Sequence, residues 1–189
     1  MAPHTSQTAL LSRLLVLFVL LGFRLGIRAR VVITHAGGVG AAMGTERGVA
    51  DPVDLAPGKW LMAGGVNGLS ILPFNPGNPT GNAEIYDSAL NTWTSVGPLA
   101  TARANQKAWS IGNGRFILAG GGAGSVLAPV PLADTEIFDL ATNSFSPGPN
   151  LNTGRAAAGM ALTQQGQVFL FGGAAANSTI TTTSEWYHF

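Results

Sequence analysis

Arg47, Arg103 and Arg155 each stand eleven residues before a turn glycine, Gly58, Gly114 and Gly166. The same arginines stand seventeen residues before the first of a glycine pair: Gly64-Gly65, Gly120-Gly121 and Gly172-Gly173. Further along, Glu84-Ile85-Tyr86-Asp87 matches Glu136-Ile137-Phe138-Asp139, and Glu185-Trp186-Tyr187 matches both in part. Trp93 and Phe145 lie nine residues after their glutamate and ten before the next arginine. Self-similarity on a period of about fifty residues marks a solenoid or propeller array, whose units bury their apolar faces by stacking on neighbours.

Each unit divides into four short strands. The first is expected over Lys107–Ile111 and Ala158–Thr163; its counterpart Val49–Leu55 carries Pro52 and two aspartates, which makes it a poor strand. Asn113-Gly114 is a strong hairpin signal, because both residues tolerate the positive φ of a type I′ turn. The second strands, Trp60–Ala63, Phe116–Ala119 and Val168–Phe171, are apolar at every position, which predicts burial on both faces. The third strands, around Glu84–Tyr86, Glu136–Phe138 and Glu185–Tyr187, alternate as a half-buried strand should. Asp87–Asn91 and Asp139–Asn143 supply turn residues before a fourth strand carrying Trp93 or Phe145.

Charged residues are only 10% of the 189, and glycine occurs 26 times, which favours turn-rich, heavily buried β structure. A formal net charge of +1 and repeats without a Lys/Arg block leave no electrostatic footprint for nucleic acid. The chain has no cysteine, so disulfides, thiolate nucleophiles and Cys-based metal sites are excluded. Its histidines, His4, His35 and His188, are scattered, and neither a metal nor a cofactor is expected.

Residues 1–29 read as a signal peptide or an apolar extension. Leu14–Phe23 is too short to span a hydrocarbon core but suits a signal h-region, which points to a secreted or periplasmic protein. Residues 30–46 read as a Gly-rich linker or stray strand. Their GGVGAAMG has Met43 where a dinucleotide fingerprint needs its third glycine, and no βαβ unit can follow.

The strand ending in Gly120-Gly121, the Phe138-Asp139 step, Phe145 and then Arg155 together resemble a kelch repeat; Tyr86 and Trp93 match that family still better in the preceding unit. The resemblance covers Arg47 to Phe189, as units 47–102, 103–154 and an incomplete 155–189. It implies an all-β fold, a partial β-propeller of up to three four-stranded antiparallel blades. Propellers close with four to eight blades. The expectation is therefore a fragment of a longer propeller, or copies that self-associate to complete one.

The resemblance also places binding in the loops between second and third strands. These are the only connections that vary in length: glutamate follows the second glycine by 19, 15 and 12 residues. Variable loops on a rigid frame are where recognition concentrates. Val66–Ala83, Gly122–Thr135 and Ala174–Ser184 are almost uncharged, which suits a carbohydrate or an extended peptide. The candidate binding residues are Asn67, Ser70, Phe74, Asn75, Asn78, Ser125, Asn177 and Thr179; solvated connectors are the plain alternative. Arg103, Arg155, Glu84, Glu136 and Glu185 recur once per unit, which suits structural ion pairs rather than catalysis. Trp93 and the glycine pairs are structural as well. The functional expectation is a non-catalytic binding scaffold. The alternative is a fragment of a secreted kelch-propeller enzyme, such as a galactose-oxidase-like oxidase or a sialic-acid epimerase; without cysteine this chain cannot supply the oxidase's Tyr–Cys cofactor.

Overall fold

The computed structural model describes residues 40–71, 73–125, 127–163, 167–176 and 179–188, all within the compact unit Gly38–Phe189. The expected leader, most of the 30–46 linker, Gly166 and Asn177 lie outside the described residues. Every named element is a strand.

In the first unit, β1 (Val53–Ala56) and β2 (Lys59–Ala63) are followed by four two-residue strands, β3 (Val66–Asn67), β4 (Ser70–Ile71), β5 (Phe74–Asn75) and β6 (Asn78–Pro79). Then come β7 (Ala83–Asp87) and β8 (Thr92–Val96). The second unit holds β9 (Lys107–Gly112), β10 (Arg115–Ala119), β11 (Gly122–Ser125), β12 (Ala128–Pro131), β13 (Thr135–Asp139) and β14 (Ser144–Pro147). The third holds β15 (Gly159–Leu162), β16 (Val168–Phe171) and β17 (Ser184–Tyr187).

Among the described residues the larger sheets are three, all antiparallel, ordered β1-β2-β7-β8, β9-β10-β13-β14 and β15-β16-β17. Their register repeats: Trp60 faces Tyr86, Phe116 faces Phe138, and Val168 faces Tyr187. Local chemistry fixes the turns. Asn113 and Gly114 have φ of 53° and 68°, as the β9–β10 hairpin requires. After β7 and β13, Asp87 accepts from the N–H of Ala89 at 2.9 Å, and Asp139 from that of Ala141 at 2.8 Å. Each of those turns ends on an asparagine, Asn91 or Asn143, with positive φ.

The sheets share two cores. Leu61, Ala63, Val53, Leu55 and Ala83 of the first pack against Phe116, Leu118 and Phe138 of the second. Ile117 and Ala119 point the other way and pack with Ala158, Val168 and Leu170 of the third. Full burial of the Val, Leu, Ile and Phe side chains among them contributes about 1.5–3 kcal/mol each. The expectation of second strands buried on both faces therefore holds for β10 from Phe116 to Ala119, which has a sheet on either side. It does not hold for β2 and β16, where burial alternates and Phe171 is 44% exposed.

The loops after the glycine pairs are not plain connectors. In the first, β3 pairs with β6 and β4 with β5; in the second, β11 pairs with β12. The third carries an Ala174–Ile180 bridge. Each loop is tied at its root to the residue after its unit's arginine, through Gly48–Val66, Ala104–Gly122 and Ala156–Ala174.

Candidate functional site

The recurrent charges build one node three times. Arg47 pairs with Glu84 at 2.7 Å, Arg103 with Glu136 at 2.9 Å and Arg155 with Glu185 at 2.6 Å, and all three arginine side chains are fully shielded. The guanidinium also donates to the carbonyl of the first paired glycine (Gly64, Gly120 or Gly172) and to that of the residue two before the glutamate (Asn82, Asp134 or Thr183). In the second unit it additionally contacts the Asp134 carboxylate. Each glutamate accepts two N–H groups from the residues three and two before the arginine: Gly44 and Thr45, Ala100 and Thr101, Asn152 and Thr153. Strand end, third strand and inter-unit segment are thus held by one buried, multiply bonded pair.

For Glu185, burial works against ionisation. The N–H of Asn152, the Tyr187 hydroxyl, Arg155 and the N–H of Thr153 outweigh it and hold the carboxyl below its usual value. Burial, then the Glu185 carboxylate, pushes the Tyr187 hydroxyl above its ordinary range.

The glycine pairs are required by geometry. Gly120 and Gly121 have φ of 63° and 94°, and a Cβ on Gly121 would lie 2.8 Å from the Ala104 carbonyl oxygen. Gly64-Gly65 and Gly172-Gly173 repeat the same pair of φ values closely. Trp93 packs against Tyr86 in a tilted ring pair with centroids 5.0 Å apart, and its indole N–H donates to the Ala41 carbonyl at 2.9 Å.

Three of the expected binding residues converge. Asn67 on β3, Asn75 on β5 and Asn78 on β6 line a shallow, open cleft of about 410 Å³ with Gly68, facing Gly44, Thr45 and Glu46. β3 and β6 place Asn67 directly opposite Asn78. Asn75 uses its carbonyl to accept the Gly77 N–H at 2.9 Å, which leaves its NH₂ directed elsewhere. The amides of Asn67 and Asn78 and the Glu46 carboxylate have no side-chain hydrogen bond or ion pair among the described residues. The cleft thus offers amide donors, amide acceptors and one carboxylate, with no lysine or arginine in its lining.

The other candidates are placed elsewhere. Ser70 donates to the Pro73 carbonyl at 2.9 Å, Ser125 accepts from the Leu127 N–H at 3.3 Å, and Thr179 donates to the Ala176 carbonyl at 2.9 Å. These hydroxyls serve their own turns. Phe74 is 67% exposed and is not part of the cleft lining.

Sequence reasoning missed the wall formed by Gly44–Glu46, which it assigned to a linker. A signal was present: these residues precede Arg47 as Ala100–Ala102 precede Arg103 and Asn152–Gly154 precede Arg155. At the position just before the arginine, the first unit has Glu46 where the others have Ala102 and Gly154.

No protein-family model matches the chain, and no match is found among curated proteins.

Proposed function

We propose that the protein is a non-catalytic scaffold of kelch-type propeller units that binds a neutral, hydroxyl-rich ligand, a carbohydrate, in the cleft of its first unit. The kelch reading is supported by three sheets that share one register and one arginine–glutamate node. The binding reading rests on a single observation. Glu46, Asn67, Asn75 and Asn78 line one cleft, and Glu46 departs from the repeat while the node behind it keeps to it. Glu46 is exposed and unengaged by the node, so its carboxylate is free to meet a ligand in the cleft.

Paired amide donors and acceptors match vicinal hydroxyls, which both give and accept hydrogen bonds. The lone carboxylate disfavours anions. A carbohydrate also suits a chain exported by the leader read at Leu14–Phe23. An extended peptide is the second reading, favoured by Phe74 standing exposed beside Asn75.

Titration of the full chain against a panel of neutral oligosaccharides, followed by calorimetry or NMR, tests the proposal. At least one glycan should bind, and Asn67→Ala with Asn78→Ala should weaken it roughly tenfold, the loss of about 1.4 kcal/mol, with unchanged melting. Binding confined to peptides, or indifferent to both asparagines, overturns it.

A further inference from the structure

The described residues contain the same sheet-to-sheet contact twice, and the outer two of the three large sheets carry matching faces that no described sheet covers. Leu61, Ala63 and Ile85 of the first sheet pack onto Phe116, Leu118 and Phe138 of the second. At equivalent positions Ile117, Ala119 and Ile137 of the second pack onto Val168, Leu170 and Tyr187 of the third. Both contacts are heterologous: a forward face meets a different, rear face.

Counting from the unit's arginine and glutamate puts Phe169, Phe171 and Trp186 at the forward positions of the third sheet. The rings form one patch, with centroids of Phe169 and Trp186 at 4.1 Å and of Phe169 and Phe171 at 5.5 Å. Phe171 is 44% and Trp186 55% exposed. The same count puts Trp60, Met62 and Tyr86 at the rear positions of the first sheet, all partly exposed, with Trp60 and Tyr86 stacked at 6.0 Å.

We propose that the forward face of the third sheet docks on the rear face of the first sheet of a second copy of this chain. The occupant is argued from the internal contacts. The rear-facing strands that accept Leu61 and Ile117 carry Phe116 and Val168, apolar and uncharged, and Trp60 and Met62 continue that series in the only sheet whose rear face no described sheet covers. The forward patch contains no charged residue; the rear face carries one, Asp54, which β1 sets opposite Trp60 with its side chain exposed. The number of copies rests on the propeller reading, although the contact does not. Two copies of the three large described sheets give six, inside the range of four to eight that closes, whereas three copies give nine.

Sedimentation of the full chain should give twice the monomer mass. Trp186→Glu on the forward face and Met62→Glu on the rear face should each halve it. Leu127→Glu, at a 70% exposed hairpin position away from both faces, should leave it unchanged. Circular dichroism of each sample checks that the sheets persist, and Phe171→Lys replaces Trp186→Glu if that variant does not fold. Mixing the Trp186→Glu and Met62→Glu variants should restore a dimer through the one intact pair of faces. A monomeric parent chain overturns the proposal, as does a dimer lost with Trp186→Glu but retained with Met62→Glu, which would mean like faces meet. Because the readout is mass, it is independent of whether the asparagine cleft binds carbohydrate.

Discussion

Arg103 and Glu136, thirty-three residues apart in the chain, meet at 2.9 Å with the arginine side chain wholly removed from water. The pair is the mechanical centre of the second unit, since the same guanidinium also holds the Gly120 and Asp134 carbonyls.

Arg103→Met should therefore destabilise the protein by about 3–5 kcal/mol, because it strands a buried carboxylate along with the carbonyls of Thr101, Gly120 and Asp134. Glu136→Gln, which keeps the shape and part of the bonding, should cost less. Urea unfolding followed by tryptophan fluorescence separates the two; equal small losses would show that the node carries no load.

Val49 should be a site of improvement. It stands two residues after Arg47 with φ of 56°, where Asn105 and Ala157 repeat the same backbone with φ of 56° and 52°. A β-branched residue is disfavoured there by about 1–2 kcal/mol, and at 51% exposure Val49 gains little from burial in return. Val49→Asn should raise stability by about 1 kcal/mol, or a melting temperature shift of about 2–4 °C for a domain of this size. Scanning calorimetry reads the shift directly.

Gly121→Val should abolish folding. Its φ is 94°, and the new Cβ would sit 2.8 Å from the Ala104 carbonyl oxygen and 3.1 Å from Gln106 Cβ. Pro76→Ala, in the loop bearing β3 to β6, should leave the far-ultraviolet spectrum and melting nearly unchanged. Equal tolerance of both changes would contradict the packing described at the glycine pair.

Acid should weaken the third sheet through Glu185. Its folded value lies below the ordinary 4.5, so its contribution is complete above that pH and is lost as pH falls through the folded value. Glu185→Gln should lower stability at neutral pH and flatten the acid limb below pH ~4.5. Denaturant midpoints of both proteins between neutral and strongly acidic pH check this, and parallel acid limbs would exclude Glu185 as a contributor.

Much of the sheet architecture was legible because it is local. Asn113-Gly114 announces its own turn, and Val168–Phe171 is a strand in sequence and structure alike. The strand expected over Val49–Leu55 begins only at Val53, since positive φ at Val49 and the ring of Pro52 hold the chain out of extended pairing. The two-residue strands of the first loop and the Gly- and Pro-rich β11 and β12 carried no propensity signal. Their pairing is imposed by the Gly48–Val66 and Ala104–Gly122 bridges at the loop roots. Asn67, Asn75 and Asn78 were legible as polar loop residues, but their convergence was not, because it depends on which residues β3 and β6 set opposite each other. Glu46 was hidden for a different reason: it lies before the first arginine, outside the unit as counted.

The N–H of Gly65 is satisfied by the Arg103 carbonyl and that of Gly121 by the Arg155 carbonyl, each at 2.9 Å. Both donors are therefore quenched by a neighbour that belongs to the following stretch of chain, so neither the second nor the third sheet can come loose without leaving an orphan amide in the one before it. Thermal disruption at Arg155 propagates to Gly121, and at Arg103 to Gly65. Three separately paired sheets are in this way coupled into one melting unit, and hydrogen exchange at those two amides reports the coupling.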